Sequence, residues 1–504
     1  MATQKYTKIN EIDLELYNFE SYNDLIEFTI KLLSSNKIDE IEIAVYLLLK
    51  ELSILLISNS SNPYFPFPFY SMRLTIKLFY VLNKLKNFTI ENNILIIFIN
   101  LLQKYPNFVN FSLFSTHEMS QYLFKILNGF IELFPFENFL EQNTIKSNEL
   151  FDLTELVLIL FGNLFMSDKS FIITYESVGL IDIVVAISKV CEKYKKNISL
   201  NKVKCALLYN LSCLALNTEH LNYESYSNVC KHLCSYRLHE FEGKLMMMNA
   251  LKKMSCTDNM YILNIIFKST IIQDFALKIC DNYEDSEENI KIIPLFTFII
   301  SKLSLFDDED NIKMMIHSKC LDFLIICLKN KKIRANFGQN ICEILCQCLV
   351  AIYNIVLSYN EIIQVLIDSG ILNICLELLS NENVCVRENV CHLLNICIIF
   401  KNDNLGYFYN FLPKICKYLH STKYDDVKNH AILIQFCFKF IEKAIVMIRD
   451  KKNIKLFLKE IFNFDFEKTF NNIHSSFDKI YNYDEIHQFN SLKNQLYEWR
   501  VLAN

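Results

Sequence analysis

The chain has 504 residues with 51 Lys and Arg against 56 Asp and Glu, a net charge of −5. That balance argues against a nucleic-acid ligand, which needs a basic face to neutralise phosphates. Hydrophobic residues make up 52%, which excludes a disordered chain, while Gly and Pro number only 7 each, too few for the turns and phosphate loops of sheet-based enzymes, so the expected class is all-α.

In chain order, the first 20 residues, MATQKYTKINEIDLELYNFE, have no apolar core of a signal peptide, and their acids speak against a transit peptide. They are expected to form a short tail on a protein of the cytoplasm, with access to the nucleus. Residues 21–149 read as degenerate helical repeats. Within them Asn59 to Tyr70, NSSNPYFPFPFY, alternates Pro with aromatic rings and is expected to break the helix and pack against the first helices. The longest wholly apolar runs, Ile43 to Leu49 and Ile94 to Ile99, fall far short of the roughly 18 residues of a spanning helix, so no membrane insertion is expected.

From residue 150 to 445 a repeating grammar emerges. Its clearest unit runs from Ala351 to Ile399: a short helix ending at Gly370, a second helix over Ile371 to Leu379, the polar turn SNEN, and a longer helix from Val384. Gly370 suits a left-handed cap and Ser380 to Asn383 a break with an N-cap. The same order recurs around Gly179, without a glycine in NIKMMIHSKCLDFLIICLK, and again from Leu412. Residues 446–504, with the single Trp499, are expected to form a helical cap.

The long third helices carry Asn at one aligned position: Asn163, Asn210, Asn249, Asn354 and Asn395. The wide gap between Asn249 and Asn354 accommodates one divergent unit near SEENIKIIPLFTFIISKLSL. A period of roughly 40 to 50 residues marks armadillo and HEAT arrays, and the expected fold is a right-handed superhelical solenoid of such repeats. One acceptor and two donors per Asn suit a row that grips the backbone of an extended peptide. The alternative use of the same amides is to bridge helices inside the solenoid.

On the runs Leu208-Tyr209-Asn210-Leu211, Leu393-Leu394-Asn395-Ile396 and Ile352-Tyr353-Asn354-Ile355, the chain resembles the armadillo superfamily, and within it importin alpha. The resemblance implies a nuclear import adaptor holding an extended segment of its cargo, with a transport carrier as a further partner. It departs from that family where importin alpha places Trp, four residues before each Asn: Ile159, Ala206, Leu245, Val350 and Cys391 stand here. Ser167, Leu214, Lys253, Ser358 and Ile399 stand four residues after, so no acidic ladder accompanies the row. An armadillo scaffold for adhesion, cytoskeletal or complex assembly, with no transport role, is the other reading.

No enzyme, cofactor or metal is expected. His117-Glu118 and His239-Glu240 lack the second His of HExxH, Gly243-Lys244 lacks the P-loop, and GxSxG and GxGxxG are missing. Cys230, His232 and Cys234 are spaced so that the His points away from both sulfurs on a helix, and the 18 cysteines read as buried thiols of a reducing compartment. The acidic runs Asp281 to Glu288 and Asp307 to Asp310 lack a calcium loop's turn glycine and read as solvated loops.

Overall fold

The computed structural model describes residues 22–57, 67–104, 113–134, 145–194, 197–236, 244–281, 287–306, 308–400, 405–421, 427–448, 450–463, 470 and 483–503. Among these residues there is no strand. The chain divides into two compact units, residues 1–233 with 240–250, and residues 234–239 with 251–504.

The first unit contains α1 (Tyr22–Leu33), α2 (Ile38–Ile57), α3 (Phe67–Lys84), α4 (Phe88–Lys104), α5 (His117–Glu132), α6 (Ile145–Ser167), α7 (Ser170–Ser177), α8 (Leu180–Lys193), α9 (Asn201–Leu216) and α10 (Tyr223–Cys234). Two layers form it. The helices α2, α4, α6 and α9 stack in one, and α1, α3, α5 and α8 in the other. Among the described residues before α7 the helices pair as α1 with α2, α3 with α4 and α5 with α6, and a short helix first appears at α7. The proline-aromatic segment lies largely outside the described residues, but α3 already begins at Phe67, so Pro68 falls in a first turn, where its missing N–H costs nothing.

Helix α11 (Lys244–Ser255) crosses the boundary between the units. The second unit contains α12 (Met260–Phe267), α13 (Thr270–Asp281), α14 (Glu287–Leu303), α15 (Glu309–His317), α16 (Cys320–Lys329), α17 (Lys331–Asn336), α18 (Ile341–Ser358), α19 (Ile363–Asp368), α20 (Ile371–Leu378), α21 (Val384–Phe400), α22 (Gly406–Tyr409), α23 (Leu412–Ser421), α24 (Val427–Met447), α25 (Lys451–Asn463) and α26 (Tyr483–Ala503). Here the long helices α14, α18, α21 and α24 stack as one layer, termed the inner layer like that of α2, α4, α6 and α9 in the first unit, and α13, α16 and α20 stack as the other, outer layer. The short α12, α15, α19 and α22 open the four repeats, and α14 fills the gap between Asn249 and Asn354. At the end, α25 pairs with α26, and Trp499 of α26 is buried with its ring 5.1 Å from that of Phe438.

Local chemistry explains the repeat. Asn259, Asn330 and Asn383 each accept from two backbone N–H groups at the start of α12, α17 and α21, satisfying donors that a helix start leaves open. Asp308 of the acidic run caps α15 by accepting from the Asp310 N–H, and Glu309 pairs with Lys313. Gly179 and Gly370 take left-handed conformations at φ 88° and 74° between the first and second helices. In the repeat without a glycine, Lys319 occupies that position at φ 64°, so the turn outlives the residue best suited to it.

Two helices, Ser147–Ser167 and Ile341–Ser358, are long and apolar enough to cross a membrane by length and composition. Counting unbroken apolar runs missed them because single polar residues interrupt both. Each is a middle member of an inner layer, α6 between α4 and α9 and α18 between α14 and α21, so neighbouring helices occupy two of its flanks.

Left-handed strain at Lys319 predicts that Lys319→Gly stabilises the protein by about 0.5–1 kcal/mol. At Gly370 an added Cβ meets nothing within 4 Å, so Gly370→Ala is expected to cost about 1 kcal/mol from backbone conformation alone. Denaturant midpoints of the two variants check both signs.

A second prediction concerns Glu91 on α4, whose carboxyl is pushed by burial from 4.5 up to about 7 against the pull of Lys125 and Lys86. Between those values the folded chain holds a proton that the unfolded chain has released, so this group's contribution improves as pH falls from 7 and is a penalty above it. Glu91→Gln is expected to raise the thermal midpoint at pH 8 and to leave it nearly level at pH 4.5.

Candidate functional site

The five aligned asparagines do not share one environment. In the first unit, Asn163 and Asn210 are both buried, Asn210 completely. The Asn210 Nδ2 donates to the Leu158 carbonyl at 3.1 Å, and the Asn163 Oδ1 accepts from the Tyr209 hydroxyl at 2.6 Å. Both bonds join α6 to α9. These two helices approach so closely because Gly162 faces Tyr209: a Cβ at Gly162 would lie 2.4 Å from the Tyr209 ring. In this unit, then, the amides bridge helices.

Asn249 on α11 is half-buried and donates to the Leu245 carbonyl of its own helix. In the second unit, Asn354 and Asn395 are half-buried and lie on adjacent inner helices, α18 and α21. The Asn354 Nδ2 reaches Ser304 Oγ past the end of α14 at 3.1 Å. The Asn395 Oδ1 is buried without a partner, as are the Asn163 Nδ2 and the Asn210 Oδ1. Nearby, the Tyr353 and His392 rings meet edge to face at 6.0 Å across α18 and α21.

Three contacts fix the register of the inner layer: Ser304 with Asn354, Tyr353 with His392, and the Lys443 Nζ donating to the Ile399 carbonyl at 2.6 Å. In that register a row of exposed aliphatic residues follows the C-terminal ends of four successive inner helices: Leu305 at 57% exposure, Leu357 at 47%, Ile399 at 40% and Val446 at 78%. Sequence reasoning missed this row. Its signal is an apolar residue three places after Asn354 and four places after Asn395.

The positions four residues before each Asn are no common slot either. Ala206 and Cys391 are buried, Leu245 is exposed, and Ile159 and Val350 lie between. A different aromatic stands on the α14 part of this face: the Lys252 and Lys302 ammonium groups lie over the Phe298 ring, 4.7 and 5.6 Å from its centroid.

The remaining sequence candidates separate cleanly. Cys230 and Cys234 are buried, while His232 turns to the α8 side, its Nδ1 2.9 Å from Ser188 Oγ and 3.4 Å from Glu192 Oε1. Burial lowers the His232 pKa against the pull of Glu192. Among the described residues no group of His, Cys, Asp and Glu could hold a metal. Burial pushes the thiols of Cys191, Cys213, Cys234 and Cys375 up to about 12, a range in which they stay protonated and inert. His117 lies near Gln121 at the start of α5; His239, Glu240 and Gly243 lie outside the described residues.

No protein-family model and no curated protein matches the chain. Among solved structures, it is similar to an engineered protein over 94% of this chain and 98% of that one, at 11% identity and a TM-score of 0.53. A structure from work on a phosphorylation switch controlling the interaction between cadherin and beta-catenin aligns over 95% of this chain and 99% of that one at 11% identity, with a TM-score of 0.44. SYS-1 aligns over 90% and 92% at 11% identity, with a TM-score of 0.36. Identities this low concern fold alone. With its helix order and layers, the chain is an all-α solenoid of helical repeats.

The split among the asparagines predicts different costs. Asn210→Ala should lower stability by about 1–3 kcal/mol, since it removes a buried bridge, whereas Asn395→Ala should stay within about 0.5 kcal/mol. Gly162→Ala should cost about 2–3 kcal/mol, because Tyr209 must move and surrender its bond to Asn163. Thermal midpoints of the three variants check the order. Alkylation of the native protein at pH 7, followed by mass mapping, should modify the exposed Cys256 and Cys385 long before any buried thiol.

Proposed function

We propose that the protein is a non-catalytic, protein-binding scaffold of armadillo type that holds an extended segment of its partner along the inner helices of the second unit. One observation carries this reading: Asn354 and Asn395 lie half-exposed on adjacent inner helices beside the aliphatic row Leu305, Leu357, Ile399 and Val446. Packed helices stand roughly 8–10 Å apart, and three residues of an extended chain span about 10 Å. An extended segment can therefore set one side chain against each repeat while the Asn amides meet its backbone. A helical segment has its own backbone groups paired and would leave those amides unused.

The narrower reading, an import adaptor of importin alpha type with a transport carrier as partner, draws support from repeat likeness alone. Neither Val350 nor Cys391 offers an indole face for a lysine stem, and Cys391 is buried. A scaffold for adhesion, cytoskeletal or complex assembly, acting in the cytoplasm or nucleus, accords better with an apolar row. Asn163 and Asn210 belong to the framework in this reading, and Asn354 and Asn395 to the binding face.

A photo-crosslinking side chain placed in the full-length protein at Leu357 or Ile399 is expected to capture the same partner protein, and one at Lys331, exposed on α17, is expected to capture none. Equal capture from all three positions, or none from any, would count against the reading.

A further inference from the structure

Phe298 on α14 carries a feature that its neighbours on the inner face do not. Both Lys252 and Lys302 hold their ammonium groups over its ring, at 4.7 and 5.6 Å. Other cations described on these helices are engaged: Lys291 with Glu287, Lys439 with Glu442, Lys443 with the Ile399 carbonyl and Arg387 with the Asn381 and Glu382 carbonyls. Among the described residues, neither Lys252 nor Lys302 has an ion-pair partner. Both ammonium groups are held beside the ring's negative π cloud and by no acid, so the positive charge around Phe298 is left unneutralised. In a chain of net charge −5, such a pair is a local reversal of sign.

We propose that Lys252, Phe298 and Lys302 form an anion subsite on the inner face of the second unit, which receives an acidic side chain of the bound segment. This rests on the reading of that face as the site for an extended segment. A carboxylate or phosphate arriving beside the Phe298 ring neutralises this charge and accepts charge-assisted hydrogen bonds from the ammonium groups there, while the segment's aliphatic side chains pass onto Leu305 and Leu357. The partner is thus an acidic, aliphatic segment, opposite in charge to the lysine-rich signals that an importin alpha likeness would imply.

The test uses degenerate, labelled dodecapeptide libraries with one central residue fixed as Glu, phosphoserine, Gln or Lys, titrated against the full-length protein by fluorescence anisotropy. The Glu or phosphoserine library should bind about five- to tenfold more tightly than the Gln library, with the Lys library weakest. That preference should shrink at high salt. Phosphoserine well ahead of Glu identifies the anion as a phosphate, and parity identifies a carboxylate; either supports the subsite. Lys252→Gln with Lys302→Gln should erase the acidic preference while Gln-library binding and the thermal midpoint stay unchanged. Equal binding of all four libraries, a preference for Lys, or an acidic preference that survives the double substitution overturns the subsite and leaves the scaffold reading standing. Binding of no library removes both.

Discussion

Each inner helix is apolar on more flanks than its own repeat can cover, and the rest of the structure follows from that excess. In α9 the run from Ala206 through Ala215 is almost wholly buried, as is most of α6 from Val157 to Phe165. Such a helix is stable in water only between two others, so the repeats stack, and each unit is a sequence of nearest-neighbour interfaces. The outer layer is covered on one side only, which is why α8 and α13 carry a polar stripe along their length, whereas in α6 and α9 the charged residues stop at Glu155 and Lys204.

That constraint also decides which polar groups are free to act. A polar residue caught between stacked inner helices must find a partner there, as Asn210 does with Leu158 and Asn163 with Tyr209. One at the edge of the layer, as Asn354 and Asn395 are, stays half-buried and leaves part of its side chain exposed. The same residue type at an aligned sequence position therefore serves two purposes, and the distance between neighbouring inner helices selects which. In the first unit Gly162 brings the helices close enough to enclose the amides.

Much of the fold was legible in the sequence because its signals are local. Gly370, the Asn383 cap and the long apolar helix from Val384 each announce themselves within a few residues, and the divergent unit at α14 could be placed by spacing alone. The pairing of α1 with α2, α3 with α4 and α5 with α6 was not legible, since no recurring glycine or turn motif marks those helices. The left-handed Lys319 was equally silent: its neighbours defined the turn, but lysine carries no signature of that conformation. For the site, the sequence showed the asparagines but not their burial, which depends on Gly162 meeting Tyr209 from the next repeat. The Lys252, Phe298 and Lys302 group was invisible for the same reason, because two different helices supply it.

The hydrogen bonds that tie one inner helix to the next are all of similar reach along the chain: 46 residues from Asn163 to Tyr209, 50 from Ser304 to Asn354, and 44 from Ile399 to Lys443. In a chain of 504 residues this is a small fraction of the length, so bringing any pair together closes only a modest loop. Contact order of this kind favours rapid folding despite the size of the protein. During synthesis, a helix waits for only one further repeat to leave the ribosome before its exposed flank is covered, and the interval in which that apolar surface could aggregate is correspondingly brief.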